Sequence, residues 1–369
     1  MSSSTSSIDR LWYTRCPVPT ASGIAIHHGW IAAEFAADGI TVSSLRASAD
    51  REVRESHFDH RQLNSFRQGG NAPPIWSRSE GQDVVVVGLT WLPQYQSLLS
   101  LPGSGIQTVR DLKGKRLALP RRVGEKIDFW RASALQAYLQ VLATEGLGAE
   151  DVSFVDLPIS TPYIQAQKAS SSGSLFDARQ SASNARAEAF ALIRGDVDVL
   201  YHYGATGPAL QEFLGAHVVA DIAHHPDTRV AVNNGTPNVL SVSGELVREH
   251  PDLVARYLLQ VLRAARWARS HPREADSIIA REVSVVDEWL PDAFDAQIYD
   301  NLEPSLRPDL VNALKLRKDF LLAHGFIRND FSVDDWIQPG PLAAAHALLR
   351  QLDEEQGAQT KEFAAPVGA

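Results

Sequence analysis

Val84-Val-Val-Val87 constrains the fold more than any other stretch of this chain. Four β-branched residues in a row leave no polar side for water, so a strand there must be covered on both faces. Strands of that kind belong to sheets with helices packed on each side, joined by crossover connections. The rest of the sequence agrees. Short apolar runs at 11–16, 40–45, 82–88, 116–119, 152–157, 197–201, 217–222 and 239–242 read as strands. Helical periodicity at 23–37, 129–145 and 185–194 falls between them, with Gly146 as a C-cap. After Val242 the pattern turns helical, over 244–249, 251–270, 272–282 and 308–324, with Pro251 and Pro272 suited to first-turn positions. Two small α/β sheets followed by a helical return predict an α/β two-lobed clamshell with parallel-rich sheets. Lobe 1 would comprise 8–103 plus 236–345 and lobe 2 would comprise 104–235, with tails at 1–7 and 357–369 left unstructured. Ligands in such folds sit in the cleft at the carboxyl ends of the strands. The Ser/Gly/Ala-rich segment 165–183 reads as a loop, either a lid or a plain surface connection.

Composition narrows the functional classes. Lys and Arg number 35 against 44 Asp and Glu, a net charge of −9, without a basic block, which disfavours nucleic acid and anionic membranes as partners. No apolar run approaches the roughly 18 residues of a membrane span. The N-terminal Met1-Ser-Ser-Ser-Thr-Ser-Ser7 has neither the basic nor the apolar region of a secretory signal, so a cytoplasmic protein is expected. One cysteine rules out an intrachain disulfide and a multi-cysteine metal cluster. The adjacent pairs His27-His28 and His224-His225 lack the spacing of a helical metal site. No phosphate-binding or dinucleotide-binding glycine motif is present, so no metal or cofactor is expected. The lack of a heptad pattern favours a monomer.

A few residues could carry chemistry. Cys16 ends the first predicted strand, ahead of Pro17-Val-Pro19 and a helix. A helix N-terminus there would favour a reactive thiolate; the alternative is a small buried apolar residue. His57 stands in Ser56-His-Phe-Asp-His60, and position alone assigns it no role. In Arg67-Gln-Gly-Gly70-Asn-Ala-Pro-Pro74, two glycines allow close backbone approach, Pro73 suits a short helix, and Arg67 is a planar donor. The stretch reads either as an anion cradle or as a turn beside a solvated arginine. Trp130 at a helix start is core or a substrate wall, and His202 and Tyr203 end a strand that could face the cleft.

These segments together resemble the 2'-hydroxybiphenyl-2-sulfinate desulfinase family, a periplasmic-binding-protein-like (type II) fold. Tyr13-Thr-Arg-Cys16-Pro-Val-Pro19 is similar to the family's Tyr-x-x-Cys-Pro-Val-Pro active-site stretch. His57-Phe58, Arg67, Gly69-Gly70 and Pro73-Pro74 follow in the family's order, His57 and Arg67 ten residues apart. Asp111-Leu-Lys-Gly-Lys-Arg116 and Gly195-Asp-Val-Asp-Val-Leu-Tyr201 resemble two further family elements, and the likeness spans roughly 11 to 336. Two departures stand out: His60 occupies a family tyrosine position, and His-Tyr-Gly-Ala follows Tyr201 where the family has a tryptophan-containing run.

The resemblance implies a cofactor-free enzyme that cleaves the C–S bond of an aromatic sulfinate, giving the arene or phenol and sulfite. It implies catalytic roles for Cys16, His57 and Arg67. Gly70, Gln62, Trp130, His60, His202 and Tyr203 would surround the substrate. Cys16 would either protonate the ring carbon or attack sulfur. The rival expectations are a solute-binding protein for aromatic or alkyl sulfonates on the same clamshell, and a related cysteine-dependent enzyme acting on another aryl acid.

Overall fold

The computed structural model describes residues 8–163, 186–295 and 298–364, with side chains through residue 355. The expected loop at 165–183 lies outside the described residues. Strands numbered along the chain form two five-stranded sheets. β1 (Arg10–Arg15), β2 (Thr41–Ser44), β3 (Ser65–Gly69), β4 (Val84–Thr90) and β10 (Asn238–Ser243) build the first, in the order β2-β1-β3-β10-β4. β5 (Gln96–Ser100), β6 (Arg116–Arg122), β7 (Ser153–Ile159), β8 (Val199–Tyr203) and β9 (His217–Asp221) build the second, in the order β7-β6-β8-β5-β9.

Each sheet contains one reversed strand. β10 is antiparallel to β3 and β4, and β5 is antiparallel to β8 and β9. Both are the first strand after the chain crosses from the other lobe, so they enter against the direction of their neighbours. The first lobe therefore ends earlier than the expected residue 103: β5 at 96–100 already belongs to the second sheet, and the crossings run through 91–95 and 222–237. Val84, Val85, Val86 and Val87 are all buried, as a strand covered on both faces requires.

Three further differences from the sequence pattern have local causes. The helix expected over 23–37 is two helices, Ala21–His27 and Trp30–Ala36, because Gly29 adopts φ +72 between them. Helix Arg51–Asp59 was not legible because its exposed face is densely charged and its apolar positions are few. Helix Gly340–Ala364 continues beyond residue 356, where a tail was expected.

The first lobe packs helix Pro251–Ser270 on its sheet, with the Phe66 and Tyr257 rings stacked at 3.7 Å between centroids. The C-terminal part closes over β4, where buried Trp336 donates Nε1–H to the Val84 carbonyl at 2.8 Å. Contacts between the lobes are specific. Lys126 Nζ reaches Asp59 Oδ2 at 2.7 Å, and Phe58 stacks on Phe129 at 6.2 Å. Asn233 Nδ2 on the return crossing donates to the Ser133 carbonyl at 3.2 Å and to the Tyr201 hydroxyl at 3.1 Å. These contacts tie the two lobes together.

Candidate active site

β1 and β3 are parallel neighbours, and this pairing positions the thiol. The Cys16 amide donates to the Gln68 carbonyl at 3.0 Å, carrying the ladder one residue past the end of β1. The sulfur then lies against Gly69. A Cβ at position 69 would fall 2.4 Å from Cys16 Sγ, on a backbone with φ +154, so only glycine fits there. The helix after Pro17-Val-Pro19 begins at Ala21, five residues past the thiol. Its first amides are taken by Thr20 Oγ1, which accepts from Gly23 at 3.0 Å, and by Gln68 Oε1, which accepts from Ser22 at 3.3 Å. The expected helix-terminus activation of Cys16 is therefore not how this thiol is held; side chains from β1, β3 and helix Arg51–Asp59 surround it instead.

His57 sits in the last turn of helix Arg51–Asp59, buried. Its Nε2 faces Cys16 Sγ at 3.6 Å, and its Nδ1 is 2.9 Å from the Thr14 hydroxyl on β1. A hydroxyl can accept from Nδ1–H or donate to bare Nδ1, so Thr14 holds either neutral tautomer. Burial pushes the imidazole well below its ordinary 6.5, and the charge of Arg67 and then His60 push the same way. A neutral ring next to the thiol can take up or return a proton.

Arg67 closes the arrangement from β3. Nη2 donates to Cys16 Sγ at 3.3 Å, Nε to the His57 carbonyl at 2.9 Å, and Nη1 to the Gly70 carbonyl at 2.8 Å. Burial lowers the guanidinium pKa, and the neighbouring Cys16 sulfur opposes that shift. The planar fork fixes thiol, imidazole-bearing helix and glycine turn relative to one another. Of the two readings of this stretch, the solvated arginine is excluded by the 2% exposure of Arg67.

These groups open into a cleft with about 810 Å³ of empty space, part of it solvent. Phe58, Pro73, Phe129 and Trp130 give it apolar walls, and Gly70 and Tyr203 also line it. Of the residues expected from sequence, Cys16, His57, Arg67, Gly70, Trp130 and Tyr203 share this cleft. Three do not. Gln62 follows the turn beyond helix Arg51–Asp59, and its amide donates to the Leu63 carbonyl at 3.3 Å, away from the cleft. His60 is the left-handed cap of that helix, at φ 54. It is buried behind Arg67, with Nδ1 3.2 Å from the Phe58 carbonyl and Nε2 3.3 Å from Ser241 Oγ. His202 is next to Tyr203 on β8, and successive strand residues point to opposite faces. Its Nε2 meets Thr206 Oγ1 at 3.1 Å, and its ring packs at 5.8 Å from Trp130.

Sequence reasoning missed the side chains that the crossings deliver. Asn234 packs so closely on Gly70 that a Cβ there would lie 2.4 Å from its Nδ2, and its Oδ1 accepts from the Ala72 amide at 2.9 Å. Gln94 and Asn238 also line the cleft. Thr14 was missed too, although its place two residues before Cys16 on a strand puts both on one face. No group of three or more metal-ligating side chains occurs among the described residues.

The chain is 29% identical over 353 residues to 2'-hydroxybiphenyl-2-sulfinate desulfinase of Rhodococcus erythropolis, covering 90% of this chain and 92% of the relative. This chain resembles the sulfinate desulfinases. The crystal structure of the desulfurization enzyme DszB superimposes with a TM-score of 0.73 at 28% identity, covering 92% of this chain and 99% of that one. A cysteine-to-serine mutant of DszB in complex with biphenyl-2-sulfinic acid gives 0.70 at 27% identity, with 92% and 99% covered. The periplasmic aliphatic sulphonate binding protein SsuA from Escherichia coli shares the fold alone, at TM-score 0.63 and 16% identity, over 90% of this chain and 93% of that one. The NMT1/THI5-like family model matches residues 73–171. The α/β two-lobed class expected from sequence is the class these desulfinase and sulfonate-binding structures share. No helix among the described residues is long and apolar enough to cross a membrane.

Proposed function

We propose that this protein is an aryl sulfinate desulfinase: ArSO₂⁻ + H₂O → ArH + HSO₃⁻. The convergence of Cys16 Sγ, His57 Nε2 at 3.6 Å and Arg67 Nη2 at 3.3 Å in a cleft with aromatic walls carries this reading. In it, the aryl ring lies among Phe58, Phe129 and Trp130, with the sulfinate beside Gly70 and Cys16. The Cys16 S–H gives its proton to the ring carbon that bears sulfur. A ring π pair forms the C–H bond; sulfur then leaves as SO₂ and the C–S electron pair returns to the ring, restoring its aromaticity, while water converts the SO₂ to bisulfite and a proton. The thiolate left behind is stabilised by the Arg67 guanidinium and regains a proton through neutral His57, whose tautomers Thr14 accommodates. The apolar walls limit water at the thiol. The substrate is a small aromatic sulfinate, the reaction uses no cofactor, and the protein works as a cytoplasmic monomer.

The test is sulfite release from 2'-hydroxybiphenyl-2-sulfinate by the wild type and by Cys16→Ser, with binding followed by calorimetry. The expected result is turnover by the wild type and binding without turnover by the variant. Sulfite release by Cys16→Ser at the wild-type rate overturns the role of the thiol. Binding without release by the wild type would make this a sulfinate- or sulfonate-binding protein. A covalent adduct on Cys16 during turnover would replace proton donation by attack on sulfur.

A further inference from the structure

Helix Ala72–Ser79 starts just after the Gly70 turn, and its first amides are already taken. The Asn71 amide donates to the Asn234 carbonyl at 2.8 Å, and the Ala72 amide donates to Asn234 Oδ1 at 2.9 Å. Pro73 and Pro74 follow and carry no N–H. Arg67 directs three donors to the protein and is 2% exposed. The obvious anion donors of this turn, the helix amides and the guanidinium, are therefore engaged before any sulfinate arrives.

Asn234, which takes up those amides, supplies a donor in their place. Because the Ala72 N–H fixes Oδ1 as the acceptor, the other arm of the Asn234 amide is its NH₂ group. Nδ2 packs on Gly70, where a Cβ would fall 2.4 Å from it, and lies 3.5 Å from the Tyr203 hydroxyl. Asn234, Gly70 and Tyr203 all line the cleft that holds Cys16, and Asn234 keeps 7% exposure. Its own backbone amide donates to Asn233 Oδ1 at 2.8 Å, so the side chain is firmly anchored. Burial pushes the Tyr203 hydroxyl up, and the neighbouring Cys16 sulfur adds to this, so the hydroxyl stays a donor. Neither the Tyr203 O–H nor the second Nδ2 proton has an acceptor among the described residues.

We infer that Asn234 Nδ2 and the Tyr203 hydroxyl are the donors that bind the two oxygens of the substrate's sulfinate, beside Gly70. This inference rests on the desulfinase reading and deepens it. Neutral donors suit the reaction. The sulfinate carries its charge on oxygen, and that charge is gone once sulfur leaves as SO₂. A cation bound directly to those oxygens would hold the ground state more tightly than the transition state, whereas an amide and a phenol bind the anion with less of that bias.

The experiment measures calorimetric Kd values at pH 8 for 2'-hydroxybiphenyl-2-sulfinate and for its desulfinated product, 2-hydroxybiphenyl. The parent is the Cys16→Ser protein, alone and combined with Asn234→Asp or with Tyr203→Phe. Asn234→Asp keeps the oxygen that accepts from Ala72 and exchanges the NH₂ donor for a second oxygen. Tyr203→Phe keeps the ring and removes the hydroxyl. The sulfinate Kd is expected to rise about 100-fold or more in the first and about 10-fold in the second, with the Kd of the product, which has no sulfinate, within about threefold of the parent. A sulfinate Kd within about threefold of the parent in either variant, or equal weakening of sulfinate and product, overturns the inference. If circular dichroism shows Asn234→Asp unfolded, Tyr203→Phe decides alone. Sulfite release by the wild type is measured separately: a protein that releases none, yet loses sulfinate binding in these variants, overturns the desulfinase reading and upholds the two donors.

Discussion

Arg67 and Cys16 are joined by a 3.3 Å hydrogen bond from Nη2 to Sγ, and the same guanidinium donates to the His57 and Gly70 carbonyls. One buried cation therefore orders the thiol, the helix bearing the imidazole and the glycine turn. The sequence suggested a cradle aimed chiefly at the substrate anion, whereas three of the fork's donors serve the protein. Arg67→Lys keeps the charge but cannot reach in three directions. It is expected to lower kcat/KM for sulfite release by about 100-fold or more and to lower Tm, both measurable on one preparation. A variant with wild-type kcat/KM would remove Arg67 from the mechanism.

Gly69→Ala tests the packing of the thiol. The added methyl would overlap Cys16 Sγ at 2.4 Å, on a backbone of φ +154 that disfavours any side chain. Turnover is expected to fall below about 1% of wild type with the fold retained, because a displaced thiol loses its alignment with His57. Circular dichroism and sulfite assays read the two effects separately.

Thr14 holds the far side of the imidazole at 2.9 Å. Thr14→Val preserves shape but leaves Nδ1 without a partner, a loss of about 1–3 kcal/mol. kcat is expected to fall about 10-fold or more while KM changes little, and Thr14→Ser, which restores the hydroxyl, is expected to recover most of the rate. Equal losses in both variants would point to packing rather than to the hydrogen bond.

Acid stability follows from buried neutral histidines. Burial pushes His60 from 6.5 to about 3, with Arg67 adding, and pushes His202 to about 4. These rings stay neutral in the fold while the unfolded chain takes up protons below about 6.5. Their stabilising contribution is complete above that value and is lost as pH falls toward 4, by about 1.4 kcal/mol per pH unit for each ring. Denaturant unfolding between pH 7 and 4.5 should show that slope, and His202→Gln should reduce it by one histidine's share.

Glu188 gives the opposite sign. It is buried, accepts from Trp130 Nε1 at 3.1 Å, and is pushed up to about 7 by burial from an ordinary 4.5. A raised carboxyl favours the fold below about 4.5 and loses that contribution as pH rises through 7. Glu188→Gln is expected to raise Tm at pH 8 by several degrees and to leave it unchanged near pH 4. A Tm unchanged at pH 8 would show that the ionised carboxylate is tolerated in the interior.

The sequence alone determined the α/β class, through Val84–Val87, and most strand and helix positions, because periodicity is a local property. Residues Cys16, His57, Arg67 and Gly70 stood out through the likeness of their segments to the desulfinase family, since position alone gave His57 no role; Trp130 and Tyr203 were candidates for the cleft. A stricter use of strand alternation would have separated His202 from Tyr203. Only the tertiary structure decided which residues share the cleft. Gln62 and His60 turn away because the chain takes a left-handed step at His60. Gln94, Asn234 and Asn238 enter because the chain crosses twice between lobes, and an isolated Asn or Gln in a connection carries no local pattern that foretells it. Local periodicity is set by neighbours along the chain, while a site is set by neighbours across a cleft, and only folding makes the second kind visible.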